Sequence, residues 1–147
     1  MNLVVLTRQD YFGAVLWGRL MGSGVAHALS NTTVRAYAHC HATNSLDLTV
    51  LLLNLDTTEP SSVTIDIGTA ATTGGSPTLE YHLTGKPHQR VVKLNGKTLA
   101  ATAEGVLPPM LGQAGTSTAV QLAPVGSRML VLLLLHIRQN HRVIGPH

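Results

Sequence analysis

The 147-residue sequence predicts a mainly β fold, an antiparallel β-sandwich of about eight short strands preceded by one N-terminal α-helix. Three observations carry this expectation. Val34, Ala36, Ala38 and Cys40 alternate with Arg35, Tyr37 and His39, which is the period-two pattern of a strand. Leu46, Leu48, Val50 and Leu52 alternate with Asp47 and Thr49, and the run then turns apolar on both faces through Leu51, Leu53 and Leu55. A strand reads that way when it enters the middle of a sandwich. Asn95-Gly96 stands between Val92-Lys93-Leu94 and Lys97-Thr98-Leu99, a strong hairpin signal because both central turn residues need positive φ.

Taken in order, residues 10 to 22 form the one convincing helix. Asp10 fits an N-cap, since its carboxylate can accept free backbone N–H groups. Phe12, Val15, Leu16 and Leu20 lie near one stripe, flanked by Trp17 and Met21. Gly22 and Gly24 supply a stop where a left-handed residue is easiest for glycine. The stripe is too apolar for a free helix, so it needs a partner surface. Val25 to Leu29 is a first strand, and the pair Val34–Cys40 and Leu46–Leu55 follows across a polar turn. Pro60 marks a turn from Thr57 to Ser62, because proline cannot donate to a central ladder. Val63, Ile65 and Ile67 alternate with Thr64 and Asp66, and Leu79, Tyr81 and Leu83 with Glu80 and His82. Gly105 to Gly115 reads as a loop carrying Pro108-Pro109. Val120 and Leu122 begin a strand broken at Pro124, and Met129 to Ile137 is the last. Such spacing of short strands suggests a sandwich.

Composition narrows the function classes. Apolar residues make up 44% and charged residues 12% of the chain, enough to build a core with a Ser-, Thr- and Gly-rich surface. Aromatics are 3%, thin for a sugar- or base-stacking face. The formal charge is +3, but the basic residues are scattered, so no nucleic-acid partner is expected. Met1 to Leu6 is too short for a signal-peptide core, and Met129 to Ile137 is too short for a membrane span. Asn31-Thr32-Thr33 is a glycosylation sequon, which acts only in a secreted chain.

The candidate chemistry is sparse. His39 and His41 share one side of a strand and Cys40 takes the other, so a metal would need a third ligand from His82 or His88. Satisfied or exposed histidines are the favoured reading, and no metal and no cofactor are expected. Cys40 has no evident oriented base, so it is not read as a nucleophile. A glycosidase needs two carboxyl groups, an acid and a base or nucleophile. The candidates are Asp10, Asp47, Asp56, Asp66, Glu59, Glu80 and Glu104. Asp10 caps a helix, Asp47, Asp66 and Glu80 fall on polar sides of strands, and Asp56, Glu59 and Glu104 fall in turns. No catalytic residue is assigned among them. The glycine-rich stretches lack a strand–GxGxxG–helix arrangement, which disfavours nucleotide binding.

Six segments in register, DYFGAVLWGRLMG, VRAYAHC, LDLTVLLLNLD, LEYHLTGK, VVKLNGKTL and LPPM, resemble the C-terminal region of plant heparanase-like proteins, glycoside hydrolase family 79. The resemblance runs from about Asp10 to Pro124. It implies a retaining β-glucuronidase built as a (β/α)8 barrel with an appended β-sandwich. Residues 1–24 would then be a remnant of the last barrel helix and residues 25–147 the C-terminal sandwich domain. The family's catalytic glutamates sit at barrel-strand ends, ahead of the matching segment, so none carries over. A glucuronic-acid-containing glycan would be engaged only through that barrel. The location the resemblance implies is secreted, in the cell wall or extracellular space, lysosomal or vacuolar, or membrane-associated.

Two departures from the family follow. MNLVVLTRQ lacks the family's Asn-Tyr barrel loop, so a truncated or mis-started gene model is expected. The family's final cysteine, which the resemblance pairs with the position of Cys40, has no counterpart, so Cys40 is read as having lost its disulfide partner. Such a bridge contributes on the order of 4–5 kcal/mol in the chain-entropy model. The leucine run near the end suggests an altered reading frame or a retained intron after about Pro124.

Two functional readings result. The first is a fragment of a heparanase-like β-glucuronidase, inactive alone, with an exposed apolar helix surface (Phe12, Val15, Leu16, Leu20) for association. The second is a stand-alone module that binds acidic glycans through Arg35, Lys86, Arg90, Lys93 and Lys97, which requires those side chains on one face.

Overall fold

The computed structural model describes residues 9–26, 32–56, 58–65, 78–85, 91–115, 119–122 and 130–137. Helix α1 (Gln9–Leu20) leads directly into β1 (Met21–Ala26). The chain continues through β2 (Val34–His41), β3 (Leu48–Asn54), β4 (Ser61–Thr64), β5 (Thr78–Gly85), β6 (Val92–Leu94), β7 (Lys97–Leu99), β8 (Gln113–Gly115), β9 (Ala119–Leu122) and β10 (Leu130–Ile137). The main sheet has the order β1-β2-β3-β10-β5-β6-β7, and β8 pairs with β5 beside β6. β4 and β9 form a second, two-stranded sheet. Every pairing is antiparallel. The expected mainly β, antiparallel fold with one N-terminal helix is therefore what the chain adopts.

Strand β3 explains the layering. Thr49, Leu51 and Leu53 face the helix, whereas Leu48, Val50 and Leu52 face the small sheet. The larger core gathers Phe12, Leu16, Leu20, Met21, Leu51, Tyr81, Leu83, Val92, Leu94, Leu99 and Met110 under α1. The smaller one gathers Val34, Val50, Leu52, Val120 and Leu122 between β2–β3 and β4–β9. A strand covered on both sides has no polar face to keep, which is why its second half reads as unbroken leucine.

The leucine run near the end of the chain also forms an inner strand. β10 lies between β3 and β5, with Leu134 in register with both Leu51 and Tyr81, and Leu133 with Leu52 and His82. The leucine run that suggested an altered reading frame contains a middle strand of the main sheet.

The helix departs from expectation at both ends. It begins by Gln9, so Asp10 lies inside the first turn and is not the N-cap. It ends at Leu20 without a left-handed glycine, because Gly22 and Gly24 belong to β1. The helix is closed instead by the sheet: the Leu20 carbonyl accepts the Ala42 N–H at 3.0 Å and the buried Thr49 hydroxyl at 2.9 Å. Those bonds satisfy a carbonyl that a helix end leaves open.

The expected exposure of the helix stripe is corrected here. Phe12, Leu16 and Leu20 are at most 7% exposed and Val15 is half-buried, so the stripe is not an association surface. The main sheet itself supplies the apolar partner that the stripe needs. Residues 24 and 25 both lie in β1, which is hydrogen-bonded to β2. Helix and sheet thus share one core. Gln113-Ala114-Gly115 forms β8 within a stretch expected as loop, since these three residues show no apolar–polar alternation. Asn95 and Gly96 have φ of 48° and 78°, the positive pair that the hairpin required.

β1 meets β2 through an irregular register, Met21 opposite His41 and Val25 opposite His39. At Gly22 an added Cβ would sit 2.7 Å from the Cys40 carbonyl oxygen, a backbone atom that cannot swing aside. At Gly18 on the helix an added Cβ would meet nothing within 4 Å. Gly18→Ala is therefore expected to stabilise the fold by up to about 1 kcal/mol, whereas Gly22→Ala destabilises it. Urea unfolding of the two variants side by side checks the opposite signs. Thr49→Val keeps the shape and removes the hydroxyl from Leu20, and its expected cost is about 1 kcal/mol in the same assay.

Candidate functional site

A cleft of about 650 Å³ lies between the β6–β7 hairpin and the segment 108–113. Leu94, Asn95, Lys97, Thr98 and Leu99 form one wall, and Pro108, Pro109, Leu111, Gly112 and Gln113 form the other. Asn95 fixes the two walls. Its backbone N–H donates to the His82 carbonyl at 2.9 Å, and its side-chain oxygen accepts the His82 N–H at 2.8 Å. Its amide nitrogen donates to the carbonyls of Glu80 at 3.1 Å and Leu111 at 3.4 Å. The turn residue read from the sequence is thus also a clamp between β5, the hairpin and the second wall. Pattern reading finds the turn but not the clamp, because the partners lie 13 to 16 residues away.

The cleft has no carboxylate in its lining. The acidic candidates lie elsewhere and apart. Asp47 is buried in the turn ahead of β3, not on a strand's polar side. Its backbone accepts the His41 N–H and donates to the Asn44 carbonyl. Asp56 and Glu59 are in the β3–β4 connection, Glu80 is on β5 and Glu104 is in the turn between β7 and β8. Asp10 lies in the first turn of α1, and Asp66 lies outside the described residues.

Each described carboxylate with a resolved environment serves local structure. One Asp56 oxygen accepts the N–H groups of Thr58 and Glu59, both at 2.9 Å, and the Thr58 hydroxyl at 3.1 Å. These bonds hold its carboxyl below the ordinary range, the Glu59 amide first and the Thr58 amide and hydroxyl after it. Hydrogen bonds to the charged form act in this direction. Glu104 is lowered likewise, chiefly by the Thr102 hydroxyl and then by its own backbone N–H. Glu80 pairs with the His82 ring at 3.0 Å, both half-buried on the same side of β5.

The histidines are also locally engaged. His39 Nδ1 donates to the Gly22 carbonyl at 3.0 Å, and its ring meets Trp17 edge-on at 5.3 Å. His41 Nδ1 accepts the Thr43 N–H at 3.2 Å, which fixes the opposite tautomer. Both rings thus engage through Nδ1, as a donor in His39 and as an acceptor in His41. Among the described residues no three His, Cys, Asp or Glu side chains gather as a metal site, and His88 lies outside them. Cys40 is a half-buried free thiol, and an added Cβ on Gly24 would lie 2.7 Å from its sulfur.

The cations do not converge. Arg35 on β2 and Lys93 on β6 are separated by three intervening strands, roughly 19 Å at ordinary strand spacing. Lys97 pairs with Leu94, so it and Lys93 fall on opposite faces of the hairpin. Lys86, Arg90 and the sequon Asn31 lie outside the described residues.

Comparison with known proteins gives this arrangement its context. No family model matches the chain. Baicalin-beta-D-glucuronidase of Scutellaria baicalensis is 39% identical over 69% of the chain, which covers 19% of that protein. Heparanase-like protein 1 of Arabidopsis thaliana is 31% identical over 69% of the chain, 24% of its own length. Heparanase-like protein 2 of the same plant is 28% identical over 84% of the chain, 29% of its length. The matched part is the C-terminal part of these relatives. The chain is homologous to the C-terminal region of heparanase-like proteins. It spans less than a third of the length of the curated relatives it matches. The heparanase-like segments quoted from the sequence are the helix, the β2–β3 pair, β5, the Asn-Gly hairpin and the proline wall, which are the parts that build the larger core and the cleft.

The Asp56 carboxyl gives a direct check on this local geometry. Its folded pKa is depressed, so its contribution to stability is full above the unfolded value and is lost as pH falls through the folded one. An NMR pH titration should place its midpoint below that of Asp56 in the urea-unfolded chain, and Thr58→Ala should move the midpoint upward.

Proposed function

We propose that this chain is the C-terminal structural module of a heparanase-like β-glucuronidase, which acts beside a catalytic barrel and has no hydrolase activity alone. The observation that supports this reading best is the dispersal of the carboxylates. A retaining glycosidase holds two carboxyl groups about 5–5.5 Å apart across its sugar site. Here the described ones sit in separate turns and strand positions, and none lines the cleft. The similarity to the C-terminal part of glucuronidase and heparanase-like relatives supports the same reading. So do Tyr11 and Trp17, each 41% exposed on the flanks of α1 that turn away from its buried stripe. Aromatic area left on a helix already packed on one side suits a second packing partner.

In this role the module contributes folded area, not reacting groups, and a glucuronic-acid-containing glycan meets the barrel. The scatter of Arg35, Lys93 and Lys97 gives a stand-alone acidic-glycan module no specific support.

A purified sample of the chain incubated with p-nitrophenyl β-D-glucuronide should release no more nitrophenol than buffer does. A full-length heparanase-like relative that cleaves this substrate serves as positive control. Release that grows in proportion to chain concentration would overturn the proposal.

A further inference from the structure

The cleft has a property that the glucuronidase reading does not use. Among the described residues β7 is the last strand of the main sheet. In a two-residue hairpin the pair flanking the turn exchanges hydrogen bonds and the next pair does not. Leu94 and Lys97 flank the turn, so Lys93–Thr98 is the next pair. The N–H and C=O of Thr98 therefore point away from β6, toward the open edge. They have no hydrogen-bond partner among the described residues. Lys97, Thr98 and Leu99 all line the cleft although their side chains alternate, which means that the cleft runs along this edge.

Among the described residues the facing wall makes no hydrogen bond to the Thr98 backbone. Pro108 and Pro109 have no N–H to donate, and the Leu111 carbonyl is already taken by Asn95. The floor is apolar at Leu94 and Leu99, both buried. Lys97 is the one charged side chain in the lining, and it is exposed. An unpaired strand edge beside an apolar floor and an uncompensated cation matches the way sheets recruit extended peptides, with backbone bonds for affinity and flanking side chains for choice.

We propose that this cleft docks an extended acidic peptide strand, which adds to the free edge of β7 at Thr98 and sets a carboxylate against Lys97. The ligand's backbone supplies the carbonyl and N–H that Thr98 lacks. Its apolar side chains reach Leu99 and the proline wall.

The test uses the full chain labelled with 15N and a short capped peptide alternating valine and threonine about a central glutamate. Titration should shift the Thr98 amide proton downfield and slow its exchange with solvent. Lys97→Glu should weaken binding about tenfold or more, and a peptide with lysine in place of the glutamate should bind that variant better than it binds the parent chain. Three results would overturn the proposal. One is a Thr98 amide that stays unmoved and unprotected at millimolar peptide. Another is a response confined to the Lys97 side chain and reproduced by sodium acetate, which would make the cleft a simple carboxylate site. The last is undiminished binding by Lys97→Glu.

Discussion

The carbonyl of Leu20 is the point on which the architecture turns. The helix stops there and the first strand starts at the next residue, with no loop between them. A helix end buried in this way leaves carbonyls that water cannot reach, and an unmet buried acceptor costs about 1–3 kcal/mol. The structure meets that demand from two elements at once, the Ala42 N–H just past β2 and the Thr49 hydroxyl on β3. Those two donors fix the helix over the β2–β3 pair. The buried row of Phe12, Leu16 and Leu20 then falls on Leu51, Tyr81 and Leu83 without further adjustment. The glycines of β1 follow from the same closure. A strand that begins where a helix ends must approach β2 closely, and at Gly22 it does so at a distance no Cβ would tolerate.

On the opposite side of the sheet the corresponding task falls to Asn54. It is 1% exposed and ends β3 beneath the small sheet. Its amide nitrogen donates to the carbonyls of Glu59 at 3.1 Å and Leu122 at 3.5 Å, and its oxygen accepts the Asp56 N–H at 2.9 Å. One side chain thus joins the end of β3, the turn that leads to β4, and β9. The Asp56 turn continues this chain of bonds outward to Thr58 and Glu59. Two polar residues at opposite ends of one apolar strand, Thr49 and Asn54, hold the layer on each side in place. Fully satisfied polar groups of this kind give a core direction that leucine packing alone does not.

Most of the fold was legible because the chain's strands signal themselves through hydrophobic period. The alternation in β2, the double-sided run in β3 and the Asn-Gly turn each report a local requirement, and the structure honours all three. What was illegible depended on distant partners. The helix stop looked like a task for Gly22 and Gly24 because the donors that perform it are 22 and 29 residues further along. β8 carries no pattern because Gln113, Ala114 and Gly115 borrow their extended shape from β5. The leucine run looked foreign because its place between β3 and β5 is invisible until the sheet order is known. The cleft was hidden for the same reason, since its two walls meet only through the side chain of Asn95.

The described carboxylates with resolved partners are engaged in local structure. A catalytic pair works by holding one acid protonated and its neighbour ionised, which requires that the two environments push apart at short range. Asp56 and Glu104 are instead both lowered, each by hydroxyl and amide donors of its own turn. A carboxylate so satisfied is a poor proton donor near neutral pH, and its lone pairs are committed to the backbone that it orders. Glu80 is engaged by His82 at the sheet surface. Among the described residues Asp56 and Glu104 thus order their own turns, and Glu80 pairs with His82 on β5.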